Sequence, residues 1–230
     1  MVRLTDPLAG SPWSTPGTVA GFVQSAPNAN LAAFADYEVH QGGRTRALDV
    51  GCGAGRNALP LAQSGWRVLG LDLSWPMLCA ASQRIQDGQL EDRLRLALAP
   101  MDELPTRTAS CDLVVAHGIW NLAQSAAEFR RSVQEAARVA RIGAGLFVFT
   151  FSRHTLPPSA EPVDGESFIF TQFSGARQCF LTREQLVSEL RLAGFAPEPS
   201  VPFSEYNLPQ PGALPTGAPV IYEAAFRRTG

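Results

Sequence analysis

Five short β-like runs, 47–50, 67–71, 94–97, 112–116 and 146–151, alternate with helical patterns, and few folds accommodate that alternation. A strand joined to the next through a helix must cross back over the sheet, so the strands pair in parallel and helices cover both faces. The expected architecture is a doubly wound α/β domain with a mostly parallel sheet. Ser125 with Glu128, and Thr182 with Gln185, read as capping boxes at helix starts. Apolar residues then recur at Phe129, Val133, Ala136 and Ala140, and at Leu186, Leu190 and Ala193, before Gly194 stops the second helix. Two further runs, near 195–203 and 220–226, flank a Pro- and Gly-rich stretch that reads as a loop, and they are expected to close the sheet as an antiparallel pair.

A chain of 230 residues, 45% hydrophobic and 17% charged, suits one well-buried domain. Within it, residues 1–44 are expected to form an N-terminal helical lid, 45–151 a ligand-binding core, 152–181 a hairpin insertion on the substrate side, and 182–230 a C-terminal helix with the antiparallel strands. Formal charge is only −2 and no basic run occurs, so no nucleic-acid partner is expected. No segment approaches the roughly 18 apolar residues that span a membrane, which points to a cytoplasmic protein acting as a monomer or homodimer. Cys52, Cys79, Cys111 and Cys179 are widely spaced, with no CxxC pair, so reduced thiols are expected. His40, His117 and His154 lack metal-ligand spacing, so no metal is expected. Every one of the 19 basic side chains is Arg. The missing Lys excludes a P-loop, a Schiff-base enzyme and a Tyr/Lys hydride-transfer pair.

The chemistry concentrates in "RALDVGCGAGRNALPLAQSGWRVLGLDLS", residues 46–74. After the first strand, Gly51, Gly53 and Gly55 let the backbone turn sharply and approach a ligand, and the next helix offers unpaired N–H groups. Asp72, ending the second strand, is placed to accept the two hydroxyl protons of a ribose. A nucleoside-containing ligand is implied at the carboxyl edge of the sheet. "GAGRNA" satisfies the dinucleotide pattern GxGxxG/A, and Asp72 follows Gly53 by 19 residues, near the expected separation of about 20. An NAD(P)-dependent oxidoreductase is therefore one reading. The fuller pattern, Asp49-x-Gly51-x-Gly53-x-Gly55, adds an acid just before the glycines, which suits a cationic ammonium better than a pyrophosphate.

With that acid and glycine spacing, the chain resembles the class I S-adenosylmethionine-dependent methyltransferases that act on small molecules, over roughly 47–151 with motifs in the family's order. The resemblance implies a Rossmann-like, seven-stranded sheet and S-adenosyl-L-methionine as cofactor, released as S-adenosyl-L-homocysteine. It implies that Asp49 and the backbone of Gly51, Cys52, Gly53 and Gly55 hold the methionine portion, that Asp72 with Leu73 holds the ribose, and that Met101 packs on the adenine. Relatives often carry an acid before the position of Met101; here Pro100 stands there, so Asp102 or backbone atoms must meet the adenine amino group. "CDLVVAHGIWNL", residues 111–122, matches the fourth strand and the loop beside the transferable methyl, making His117, Trp120 and Asn121 active-site candidates.

Methyl transfer needs a base only when the nucleophile arrives protonated. His117 is the candidate base and also lines the cofactor, with a purely packing ring as the other reading; His154 is a second candidate. Phe22 in the lid, and Gln172, Phe173 and Gln178 in the hairpin "FIFTQFSGARQCFL", are candidate contacts for a small-molecule acceptor offering O, N or S. A non-catalytic S-adenosylmethionine-binding protein is the remaining alternative.

Overall fold

The computed structural model describes residues 6–208 and 218–230, so most of the loop expected between the last two runs lies outside the described residues. Five parallel strands, β1 (Arg46–Val50), β2 (Arg67–Asp72), β3 (Leu94–Leu98), β4 (Cys111–His117) and β5 (Ala140–Phe151), are followed by β6 (Ile169–Phe170), β7 (Gln178–Cys179), β8 (Phe195–Pro197), β9 (Ser204–Tyr206) and β10 (Ile221–Arg228). The main sheet runs β3-β2-β1-β4-β5-β10-β8, with β9 an eighth strand beside β10. β10 is antiparallel to β5, β8 and β9, so the last two sequence runs do close the sheet antiparallel. The run expected near 195–203 is split into β8 and β9 by Pro199 and Pro202, which have no N–H to give a ladder. β5 begins earlier than expected, directly after the helix before it, through an irregular register opposite Cys111 and Leu113.

The helices are α1 (Pro16–Gln24), α2 (Ala29–Gly42), α3 (Ala58–Gln63), α4 (Trp75–Asp87), α5 (Ala126–Val139) and α6 (Arg183–Leu192). One core face joins Leu31 and Phe34 of α2, Leu59 of α3 and Leu78 of α4 to Val115 and Phe147 of the sheet. The opposite face joins Phe129 of α5 and Leu186 of α6 to Val114, Val148 and Phe226. Covered on both sides, β4 is buried along six of its seven residues, which is why residues 113–116 form an unbroken apolar run rather than an alternating one.

Thr182 and Gln185 form a complete capping box on α6, with Gln185 N–H to Thr182 Oγ1 at 3.2 Å and Thr182 N–H to Gln185 Oε1 at 2.9 Å. On α5 only half of the box forms: Ser125 Oγ accepts from Glu128 N–H, while Glu128 reaches one residue further back, to Gln124 N–H at 2.8 Å. Thr182→Ala should therefore lower stability by about 1 kcal/mol in urea denaturation; no change would mean that water caps α6 equally well.

Hydrogen bonds to the start of α4 fasten the N-terminal segment to the core. Asp6 Oδ1 accepts from Trp75 N–H at 3.1 Å, and Ser14 shares a hydrogen bond with Ser74 at 3.1 Å. Further on, Glu38 of α2, fully buried, receives Arg44 and a two-pronged contact from Arg227 of β10 at 2.7 Å on each oxygen. The aromatic hairpin read from sequence is present as the antiparallel pair β6 and β7.

Candidate cofactor and acceptor site

At the carboxyl edge of the sheet the chain turns through Gly51, Gly53 and Gly55, whose φ angles of 72°, 53° and 79° lie in the left-handed region. Space is as restrictive as torsion. A β-carbon on Gly51 would stand 2.8 Å from the Ile119 side chain, and one on Gly55 would stand 2.1 Å from Leu59 Cδ1. At Gly53 the neighbour is the ring of Phe22, at 3.1 Å, so α1 lies directly over the glycine loop. Cys52 contributes backbone rather than thiol: its N–H donates to Leu71 O, and its sulfur is buried against Gly70. Burial, reinforced by the charges of Asp49 and Asp72, pushes that thiol well above its ordinary range.

Asp49 is 1% exposed, and among the described residues its Oδ2 has no hydrogen-bond partner. Burial and then the nearby Asp72 charge push its carboxyl up to about 7, against the Ala58 N–H, which favours the ionised form. A buried carboxylate oxygen left without a donor is costly, which marks this one as open to a donor from outside the described residues. Asp72 accepts from Gly53 N–H and Ser74 N–H, each at 2.8 Å, which ties the end of β2 to the glycine loop. Burial raises its pKa as well, partly opposed by those N–H groups. Leu73, half-buried, follows it. Met101 is buried in the core on the same edge. Asp102 is committed to Arg131 of α5, at 3.0 and 3.1 Å, which leaves backbone groups as the freer partners around residue 101.

His117, the last residue of β4, stacks on Phe149 with centroids 4.2 Å apart and planes at 7°. Its Nε2 faces the Asn28 side-chain amide at 3.3 Å. Burial first, then the Arg56 charge, pushes the ring down to about 4, so it is neutral at physiological pH. Trp120 is 1% exposed and packs edge-on against Phe129, placing it in the core. Its neighbour Asn121 is buried too, with Oδ1 lacking a partner among the described residues.

Among the described residues no hydrogen bond joins His154 to His117; His154 Nδ1 instead meets Glu205 Oε1 at 2.7 Å on an exposed flank. In the hairpin, Gln172 bonds to Glu161 O at 2.8 Å and Gln178 accepts from Ser174 at 2.7 Å, so both side-chain amides are engaged locally. Phe173 is exposed on one side and packs edge-on against Phe151 and Phe180 on the other. The geometry thus gathers Asp49, the glycine loop, Asp72, Phe22 and His117, and holds the hairpin residues as a separate group. Sequence reasoning missed Ile119 against Gly51 and Glu223 beneath Asn28. Glu223 carried a signal, a lone charge inside the apolar run "VIYEAAF".

A methyltransferase domain family matches residues 48–149, the span from β1 to β5. The chain is 28% identical over 189 residues to a demethylmenaquinone methyltransferase of Lactiplantibacillus plantarum, covering 74% of this chain and 77% of that protein. It is also 28% identical to the 27-O-demethylrifamycin SV methyltransferase of Amycolatopsis mediterranei over 71% of this chain and 58% of the relative. In fold it resembles the 1,6-didemethyltoxoflavin-N1-methyltransferase of Burkholderia thailandensis, solved with S-adenosylhomocysteine, with TM-score 0.62 and 21% identity over 88% of this chain and 79% of that one. With strand order, acid–glycine loop and matched domain in agreement, residues 48–149 form a methyltransferase domain, and the chain is similar to the class I S-adenosylmethionine-dependent methyltransferases.

Proposed function

We propose that this enzyme transfers the methyl group of S-adenosylmethionine to an O, N or S nucleophile of a small organic molecule. The observation that carries the reading is Asp49, buried with an unpartnered oxygen at the glycine loop. An α-ammonium group fits that oxygen; a pyrophosphate would bring negative charge to a buried acid, which weighs against the nicotinamide reading. In the same arrangement Asp72 and Leu73 hold the ribose, the Gly51 to Gly55 backbone holds the methionine carboxylate, and Met101 covers the adenine. Because Arg131 occupies Asp102, backbone atoms near residue 101 meet the adenine amino group.

The bound cofactor supplies an electrophilic methyl on a cationic sulfur. What remains for the protein is alignment and exclusion of water, since charge is lost rather than created as the methyl moves. Phe22, lying over Gly53, supports a lid role for α1. His117 is the base or hydrogen-bond acceptor nearest the loop, with His154 too far engaged by Glu205 to share that role. Asn121, whose buried Oδ1 has no partner among the described residues, is the acceptor contact on this reading, with Trp120 packed behind it in the core; Gln172, Phe173 and Gln178, grouped apart in the hairpin, are left to an acceptor that extends beyond the loop. The relatives' acceptors, demethylmenaquinone, 27-O-demethylrifamycin SV and 1,6-didemethyltoxoflavin, are small molecules, which supports the same class here. Among the described residues no helix is long and apolar enough to cross a membrane, and the small net charge favours a neutral small acceptor over nucleic acid. On this reading the site is complete in one chain, compatible with a cytoplasmic monomer or homodimer.

Calorimetric titration with S-adenosylmethionine, S-adenosylhomocysteine, NAD and NADP should give binding of the two sulfur nucleosides alone. Binding of a dinucleotide instead would overturn the reading. Asp72→Ala should weaken S-adenosylmethionine by about 1–3 kcal/mol, the scale of a lost charge-assisted contact. Unchanged affinity would reject the ribose assignment.

A further inference from the structure

We propose that Glu223 is a positioning residue for this reaction, acting through Asn28 to hold His117 as a neutral, Nδ1-protonated ring beside the glycine loop. The inference rests on the methyl-transfer reading of the site. It begins with a helix cap. Asn28 Oδ1 accepts from Leu31 N–H at 2.8 Å, as the cap of α2, and this fixes which end of the amide is oxygen. Both hydrogens on Nδ2 are then committed, one to Glu223 Oε2 at 2.5 Å and the other to His117 Nε2 at 3.3 Å. An imidazole nitrogen that faces an amide donor must present its lone pair, so the ring proton resides on Nδ1. Asn28 N–H donates in addition to Asn57 Oδ1 at 3.0 Å, which joins the same hub to the end of the glycine loop.

The sheet register sets the three partners in one row: His117 pairs with Phe149, and Phe149 pairs with Glu223. Glu223 is 4% exposed, and the groups that bind it, Asn28, Asn30 at 2.5 Å and Tyr206 at 2.9 Å, are all neutral. A carboxylate buried without a cation costs stability relative to an apolar side chain, and a fully bonded polar network gives back a defined geometry. That geometry is the orientation of Asn28. The charged groups that bear on the ring are Arg56, from the loop before α3, which opposes its protonation, and Glu223, from β10, which favours it. The ring therefore offers a lone pair, and what it can orient is a hydrogen-bond donor: an acceptor hydroxyl, thiol or N–H that takes the place of the Asn28 amide.

Long-range proton–nitrogen NMR of the histidine rings tests this, with the His117 signals assigned through His117→Gln. The native protein should show one Nδ1–H tautomer for His117. Glu223→Gln, which keeps the shape and removes the charge, should turn that pattern into an exchanging mixture. Asn28→Ser retains a capping oxygen but is too short to bridge, and it should do the same. A variant that loses thermal stability but keeps the single tautomer would overturn the proposal, leaving Glu223 a purely structural residue. A native ring already in tautomeric exchange would overturn it as well. S-adenosylhomocysteine titrated into the same native sample separates the two levels: failure to bind rejects the methyl-transfer reading, whereas binding alongside an exchanging ring rejects only the role of Glu223.

Discussion

Affinity for S-adenosylmethionine should rise with pH, by about tenfold from pH 5 to 6 and about fivefold from pH 6 to 7, and then level off, because binding draws on the ionised form of Asp49. Burial and the Asp72 charge push that carboxyl up to about 7 in the free protein. Below that value most molecules carry a proton where the ligand ammonium belongs, and removing the proton is part of the cost of binding. From pH 5 to 7 the effect is about 50-fold. Near pH 8 the ligand's own α-amino group begins to deprotonate, so the affinity should turn down again and the full profile should be a bell. Asp49→Asn should flatten the acidic limb and lower the plateau. The stability of the free protein should carry the opposite sign. Asp49 holds its proton in the folded state more tightly than its ordinary value of 3.8, so its contribution is fully present below that pH and is lost as pH rises toward 7. Calorimetry at several pH values, in buffers of different ionisation enthalpy, would also detect the proton released on binding. A flat affinity profile between pH 5 and 7 would mean that Asp49 does not meet the ammonium.

Much of this site is local in sequence, which is why it could be read there. Asp49, the glycines and Asp72 lie within one strand–loop–helix–strand unit, where spacing alone places them at one sheet edge. The partners that finish the site come from elsewhere. Phe22 reaches Gly53 from α1, and Glu223 reaches Asn28 across 195 residues. No periodicity encodes such pairings, because they exist only once β10 inserts beside β5. Competition between partners is equally hidden: Asp102 was a fair candidate for adenine until α5 placed Arg131 against it. Trp120 and Asn121 show the same limit at finer scale. Both follow the end of β4, yet the indole turns into the core against Phe129 while the neighbouring amide keeps a free oxygen.

The fold was legible for the corresponding reason. Parallel strands buried on both faces need continuous apolar runs, and crossover helices need amphipathic ones, so β1 to β5 announce themselves. The C-terminal third was less so. Before β10, its strands β8 and β9 are short and set among Pro197, Pro199 and Pro202, and β9 owes its existence to hydrogen bonding with β10 more than to any pattern of its own.

Replacing Arg227 with alanine should produce the largest loss of stability, about 3 kcal/mol or more in urea denaturation, because it strips a buried carboxylate of its main partner. Glu38 has no solvent exposure, and Arg227 meets both of its oxygens at 2.7 Å while also binding Glu198 at 2.5 Å. The Glu198 carboxyl lies below its usual range: burial works against this, but hydrogen bonds from Arg227 and Ser200 outweigh it. Arg44 remains on Glu38 in the variant, which should keep the loss near the lower end of the roughly 3–5 kcal/mol seen when buried pairs are broken. Removing both charges, with Arg227→Met and Glu38→Gln together, should recover a large part, since neither variant then buries an unpaired ion. A single-variant loss under about 1 kcal/mol would place the pair with solvent-screened surface bridges. The consequence extends to the site. α2 is fastened to β10 towards both ends, by Glu38 to Arg227 and by Asn28 and Asn30 to Glu223, and Asn28 also faces His117. Releasing the far clamp leaves Asn28 and Asn30 as the hydrogen-bonded hold on the helix start, so Arg227→Ala should loosen the His117 environment before the domain unfolds, seen as enhanced amide exchange at the start of α2 at temperatures where β1 and β4 stay protected.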